Sequence, residues 1–398
     1  MKKTELNEKL QVADRVLKLP IYVFSEVAEQ KKLHDPEWLI DLSLGSPDLP
    51  TPVPVMECLR KSVEVVSNHG YPPFDGKDNL TQEIAKWFEN RFGVKTNKSN
   101  VLPLIGSKEG LAHLPLVYIN PGDISLIPDP HYPVHHRGSV LAGAEIYSLP
   151  LKQENDFLPD LAAIPPDIAN KAKIIIISYP NNPTGAVSNP EFMRELVAFC
   201  RKYNILLCHD LAYSEIGFDG PKPQSIFEYI SFDEPAIEFF TFSKTYHMAG
   251  WRIGFCVGNK EVVNNLYSLK TNMDYGIFGA IQDAAVEALK LPEPYYNDLK
   301  LIYKNRVDLV HSRLTEAFDW DIFKAKGGMY LWLPVPEKFE GFGRDFAIGL
   351  LKNFGVVTTP GIAFGKEGRD YVRLAMVQSE DKLIEASERI IKYVKGLI

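Results

Sequence analysis

Hydrophobic positions in the middle of the chain come in short unbroken runs rather than in alternation. KIIIISYP (173–180), NILLCHD (204–210) and AIEFFTF (236–242) are apolar on both faces, as parallel strands buried at the centre of a sheet are. Between the first two lies NPEFMRELVAFCRKYN, where Asn189 caps, Pro190 takes the first helical position, and Phe192, Leu196 and Phe199 recur at helical spacing. Strand, helix, strand is a right-handed crossover. Its repetition predicts an open α/β sheet that gathers ligands at the carboxyl ends of its strands.

The pattern changes near residue 290. LPEPYYNDLK opens a long helix reaching about Phe318, followed by strand-like MYLWLPV, a helix over RDFAIGLLKNF, strand YVRLAM and a last helix from Glu380. This predicts a second, smaller α+β unit. A chain of 398 residues exceeds one ordinary core, so the expected division is a large ligand-binding domain over 51–295 and a small domain built from 1–50, an N-terminal arm, with 296–398.

Composition narrows the function classes. Apolar residues at 45% and charged residues at 24% give the usual globular balance. A net charge of −7 argues against a nucleic-acid binder, which needs clustered Lys and Arg for phosphates. Cys58, Cys200, Cys208 and Cys256 form no C-x-x-C pair, and read as buried small hydrophobes in a reducing compartment. The N-terminus MKKTELNEKLQ lacks a following apolar stretch, and no run approaches a membrane span. A cytoplasmic protein with small-molecule partners is expected.

The stretch FFTFSKTYHMAGWRIGF (239–255) carries Lys244 and Arg252 within an otherwise apolar, strand-like run. Two such cations pointing inward require something anionic or electrophilic to meet. Familiar phosphate signatures are missing: no G-x-G-x-x-G follows a strand, and GIAFGKEG has the wrong spacing for a nucleotide loop. VLPLIGSKEGLAHLPLVYI instead runs from a strand into Gly106 and Ser107 and then a helix, whose first N–H groups suit an anion; taken alone, Ser107 reads more readily as a simple helix cap. YPNNPTG leaves Asn181 and Asn182 at a strand end, and ILLCH is followed by Asp210, with Tyr213 three residues on. A ligand with one phosphate, one cationic ring nitrogen and one aldehyde would satisfy Ser107, Asn182, Asp210, Tyr213, Lys244 and Arg252 together. His131, His135 and His136 are not read as a metal site, because Pro133 interrupts the helix that would align them and no carboxylate or thiolate completes a set.

From about residue 15 to its end the chain resembles the pyridoxal-phosphate-dependent aminotransferases of class I and II, fold type I, through NNPTG, HDLAYSEI, SKTYHMAGWRIGF and YVRLAM in family order. LIGSKEGLAHL and DPHYPVHHRGSVLAGAE are most similar to the LL-diaminopimelate-type and alanine-type members. The resemblance implies pyridoxal 5'-phosphate as cofactor, held by the large domain. Lys244 would condense with its aldehyde and carry the substrate proton, Asp210 would pair with the ring nitrogen, and Tyr213 and Asn182 would bond the ring hydroxyl. Arg252, Thr241, Gly106, Ser107 and Lys108 would surround the phosphate, and Tyr132 would stack on the ring. Arg373 would grip the substrate α-carboxylate, with Gly45 and Asn182 beside it. Tyr71 matches a tyrosine that crosses from the neighbouring subunit, implying a homodimer. The implied reaction moves an amino group between an L-amino acid and a 2-oxo acid, with glutamate and 2-oxoglutarate as one pair; Lys108 or Asp75 would read a distal substrate group. A C–S lyase or a decarboxylase would use the same residues, and a non-catalytic ligand sensor is the reading outside enzymes.

Overall fold

The computed structural model describes residues 11–396 apart from 20–22, 221, 319–320, 337–338 and 340–341; the N-terminal segment 1–10 lies outside them. Twelve strands are numbered in chain order: β1 Ile40–Asp41, β2 Val101–Leu104, β3 Ile124–Asp129, β4 Glu145–Pro150, β5 Ala172–Ile177, β6 Leu206–Asp210, β7 Ala236–Thr241, β8 Gly254–Gly258, β9 Tyr330–Pro334, β10 Val356–Val357, β11 Thr359–Pro360 and β12 Tyr371–Ala375. Seven of them form one sheet in the order β2-β8-β7-β6-β5-β3-β4. The pairs from β4 to β7 are parallel, whereas β8 runs antiparallel to both β7 and β2. β6 and β7 are buried at every position, which is why their sequences show no alternation.

The crossover helix between β5 and β6 spans Pro190–Tyr203. Asn189 Oδ1 accepts from the Phe192 N–H at 2.8 Å, and Asn204 closes the helix in the left-handed conformation at φ 53°. Its buried face is Phe192, Met193, Leu196, Val197 and Cys200, while Phe199 is half-buried.

Beyond residue 290 come the long helix Glu293–Ala317, the antiparallel sheet β11-β12-β9, and the helices Phe342–Phe354 and Glu380–Lys395. The chain's early segment joins this unit: β1 pairs in parallel with β10, and Ile40 and Leu42 share a core with Val307, Leu331, Leu374 and Ile390. Tyr213, Ile216 and Phe218, which follow β6, enter the same core. A two-pronged pair from Arg306 to Asp48, both contacts 2.8 Å, fixes the segment that carries Gly45. Cys200, Cys208 and Cys256 are buried as expected, but Cys58 is only half-buried. No helix among the described residues is long and apolar enough to cross a membrane.

Candidate active site

The carboxyl ends of β5, β6 and β7 open on a cavity of about 480 Å³. Its walls include Ser107, Lys108, Tyr132, Asn182, Asp210, Tyr213, Thr241, Lys244 and Arg252 from the large-sheet unit, and Gly45 and Arg373 from the smaller one. Parallel strands all end on one side, so their C-terminal residues converge although they lie far apart in sequence.

The segment after β7 corrects the strand-like reading of 239–255. Strand geometry ends at Thr241, which caps a short helix, Phe242–Thr245, through its Oγ1 and the Ser243 N–H at 3.1 Å. Lys244 thus projects from a helical turn, half-buried, and its Nζ donates to the Gly45 carbonyl. Burial holds this amine below the ordinary lysine range, and the nearby Arg373 and Arg252 charges act in the same direction. Arg252 has a left-handed backbone, φ 55°, and an exposed side chain at the cavity wall rather than an inward one, with Nη1 donating to Ala249 O at 2.7 Å.

Gly106 precedes the helix Ser107–Tyr118 at φ 74°. It does not reach the cavity itself; a Cβ there would lie 2.4 Å from Arg252 Nη2, so only glycine lets the helix start approach the guanidinium. Glu109, on the first turn, accepts from the Ile105 N–H at 2.5 Å and from the fully buried Lys270 at 3.0 and 3.1 Å, which anchors that turn. Ser107 is the first helical residue, and no side chain caps this helix.

Asp210, at the end of β6, is buried. His135 Nε2 sits 2.9 Å from its Oδ2, whereas Oδ1 is buried without a hydrogen-bond partner among the described residues. A buried carboxylate oxygen left unpaired in a cavity wall needs a cationic or N–H donor from a ligand. His135 lies on the helix Pro133–Ala142, which Pro133 starts rather than breaks; His131 precedes that helix and stacks on His136, their centroids 5.4 Å apart. Among the described residues no group of three or more His, Cys, Asp or Glu could hold a metal. Burial pushes the Tyr132 phenol up to about 12.

Arg373, on β12, is buried. Its Nη1 donates to Asn182 Oδ1 at 2.9 Å and its Nη2 to Ser43 O at 2.6 Å, while Nε is buried without a partner. The guanidinium carbon lies 4.3 Å from the Tyr330 ring centroid and 4.6 Å from that of Phe364. Tyr213 is buried and its hydroxyl is 2.9 Å from that of Tyr330.

Tyr71 and Asp75 are not brought to this cavity. Tyr71 is 82% exposed and stacks on Tyr275 at 4.4 Å, and Asp75 is exposed in a turn nearby. Sequence reasoning missed three contributors: His135 as the partner of Asp210, Tyr330, and Ser243 in the cavity wall. Ser243 adjoins Lys244 and could have been read from that adjacency; the other two meet the site only through the fold.

Residues 37–390 match the family model described as aminotransferase class I and II. The chain belongs to that family. It is 44% identical over 383 residues, 96% of this chain and 98% of the other, to LL-diaminopimelate aminotransferase from Aquifex aeolicus. The corresponding enzyme of Natranaerobius thermophilus is 42% identical over 96% of this chain and all of its own. Among solved structures, substrate-bound BacF from Bacillus subtilis superposes with a TM-score of 0.92 at 39% identity, covering 96% of this chain and 98% of that one.

The chain is therefore a pyridoxal-phosphate-dependent aminotransferase of fold type I. The residues present fit that cofactor: Asp210 Oδ1 lacks a partner, the glycine-cleared helix start faces Arg252, and the Lys244 amine, depressed by burial, lines the same cavity.

Proposed function

We propose that this aminotransferase takes the amino group of LL-diaminopimelate, or an L-amino acid with a similarly distal carboxylate, and passes it to 2-oxoglutarate, acting as a cytoplasmic homodimer. The observation that carries the donor assignment is the similarity to LL-diaminopimelate aminotransferases over nearly the full length of both chains. Lys108, exposed at the rim of the cavity that Arg373 floors, supplies a second cation for a second carboxylate.

When bound, pyridoxal phosphate supplies an aldehyde for the amino group and a protonated ring that withdraws electrons from the substrate Cα. Asp210, oriented by His135, would keep the proton on the ring nitrogen through its free Oδ1. Tyr213 and Asn182 would bond the ring hydroxyl, and Tyr132 would stack on the ring. Arg252, Thr241, Ser107 and the N–H groups at the Ser107 helix start would hold the phosphate. Lys244, whose amine burial holds below the ordinary lysine range, would be the residue that holds the aldehyde, and its Nζ would accept the proton from the substrate Cα. Arg373 pairs with the α-carboxylate beside Gly45, leaving its Asn182 and Ser43 contacts to hold the guanidinium plane. Tyr71, with Tyr275 and Phe74 in one exposed aromatic cluster, packs against a second copy and reaches its phosphate site. In this reading 51–295 is the cofactor-binding domain, and 1–50 with 296–398 the small domain.

The test is a donor screen with purified protein, pairing LL-diaminopimelate, alanine and aromatic amino acids with 2-oxoglutarate and pyruvate. LL-diaminopimelate with 2-oxoglutarate should give the highest kcat/KM; a better rate with alanine would refute the donor assignment.

A further inference from the structure

Asp129 ends β3 and opens DPHYPV, the segment that supplies Tyr132; it is buried, and the reading above gives it no task. Its carboxylate faces the smaller unit. Oδ2 accepts from the Lys366 N–H at 3.1 Å and Oδ1 from the Glu367 N–H at 3.2 Å, while the Ser148 hydroxyl on β4 donates to Oδ2 at 3.3 Å. Two residues on, the His131 N–H donates to the Phe364 carbonyl at 2.7 Å. The loop 361–368 that makes these contacts consists of two short 3-10 turns joined at Gly365, φ 131°. A Cβ at Gly365 would lie 1.9 Å from Asp129 Oδ1, so both the backbone angle and the carboxylate require glycine there.

That loop carries Phe364, which is buried in the cavity wall with its ring centroid 4.6 Å from the Arg373 guanidinium carbon and 5.8 Å from the Trp332 ring. We propose that Asp129 is a positioning residue for the substrate carboxylate: by clamping the loop 361–368 to the end of β3 it holds Phe364 against Arg373 and so sets the guanidinium plane. The proposal rests on the reading of Arg373 as the group that pairs with the α-carboxylate. A carboxylate suits the clamp because it offers one oxygen to each of two adjacent N–H groups, in charge-assisted bonds stronger than neutral ones. Phe364 acts on the guanidinium through a cation–π contact, whose strength depends on where the ring sits. On the cofactor side the same segment is held independently, by the His135 contact to Asp210 at 2.9 Å and by the helix Pro133–Ala142. Loss of the Asp129 carboxylate therefore frees the loop and leaves Tyr132 in place.

The first measurement needs no cofactor. Amide hydrogen exchange of peptides covering 361–368 and 133–142 compares wild type with D129N, which keeps the side chain's shape but turns one acceptor into a donor. Exchange over 361–368 should rise by about tenfold, as expected for one lost charge-assisted bond, with 133–142 unchanged. Equal exchange over 361–368 in the two proteins overturns the proposal.

The second measurement uses protein loaded with pyridoxal phosphate, in single turnovers with LL-diaminopimelate and with alanine. D129N should lower kcat/KM for both donors by roughly ten- to a hundredfold, the scale of a small misplacement of an orienting group, and D129A by more, while the dissociation constant of the cofactor stays that of wild type. Because Asp129 acts through Arg373, D129N should add nothing in an R373A background. A D129N loss that persists in full beside R373A, or a weakened hold on the cofactor, marks a merely structural role and overturns the proposal. An R373A protein that turns over like wild type would instead overturn the carboxylate reading beneath it, and the route through Arg373 with it; the exchange measurement separates that failure from a failure of the clamp.

Discussion

Replacing Arg373 with alanine tests how the cavity distinguishes a shared substrate group from a variable one. The guanidinium is 4% exposed, with Asn182 Oδ1 at 2.9 Å, Ser43 O at 2.6 Å and aromatic faces at 4.3 and 4.6 Å. Breaking a buried charge pair by removing one partner costs about 3–5 kcal/mol. For an α-carboxylate bound in every donor and held into the transition state, that converts to a fall in kcat/KM of roughly two to four orders of magnitude. The loss should be alike for long and short donors, because all carry the same carboxylate. Thermal stability should change far less: the variant forfeits two charge-assisted hydrogen bonds, worth about 1.5–3 kcal/mol each, but also escapes the desolvation cost of a buried guanidinium. R373K should recover part of the activity, since it keeps the charge without the two-pronged fork. Steady-state kinetics with three donors of different length provide the assay. A loss below about tenfold, or one confined to a single donor, would refute the reasoning.

Three further outcomes follow from the same geometry. D210N should retain cofactor but slow the single-turnover half-reaction by roughly 10²–10³-fold, the usual effect of losing one preorganised electrostatic partner; a near-normal rate in stopped flow would contradict the role. K108A should lower kcat/KM for donors with a distal carboxylate while leaving alanine nearly unaffected, and equal losses for both would remove Lys108 as a specificity residue. Burial depresses Lys244 relative to the unfolded chain, so its charged form costs the fold stability at pH values below its folded pKa. That cost fades as pH rises toward the ordinary lysine value of about 10.4. Cofactor-free K244M should therefore melt above wild type at neutral pH, with the gap closing near that value; a gap that widens with pH would contradict the sign.

Strand ends were the legible part of this site. Asp210 and Lys244 were found because apolar runs mark buried strands, and polar residues just beyond them must lie at the sheet edge. The direction of β8 was not legible, since a short apolar run such as GFCVG is the same in either orientation. Arg252 was misplaced for a local reason: the chain leaves strand geometry after Thr241 and turns through a left-handed residue, which no hydrophobic pattern records. His135 lies 75 positions from Asp210, and Tyr330 lies 117 from Tyr213. Each meets its partner only after the chain has folded. In MYLWLPV, Tyr330 reads as one more core aromatic, and burial alone does not separate it from Trp332, which is equally enclosed.

The central claim is that Lys244 is the lysine that bonds pyridoxal phosphate. Borohydride reduction of the cofactor-loaded protein, followed by proteolysis and peptide mapping, tests it directly. The account predicts a single pyridoxyl label, on Lys244 in the segment FFTFSKTYHMAGW, and no such label in K244A. Lys222 offers an internal rival, because burial also pulls its amine down, to about 8, at a distant surface pocket beside Arg91 and Glu215. A label on Lys222, or on any lysine other than Lys244, would contradict the account.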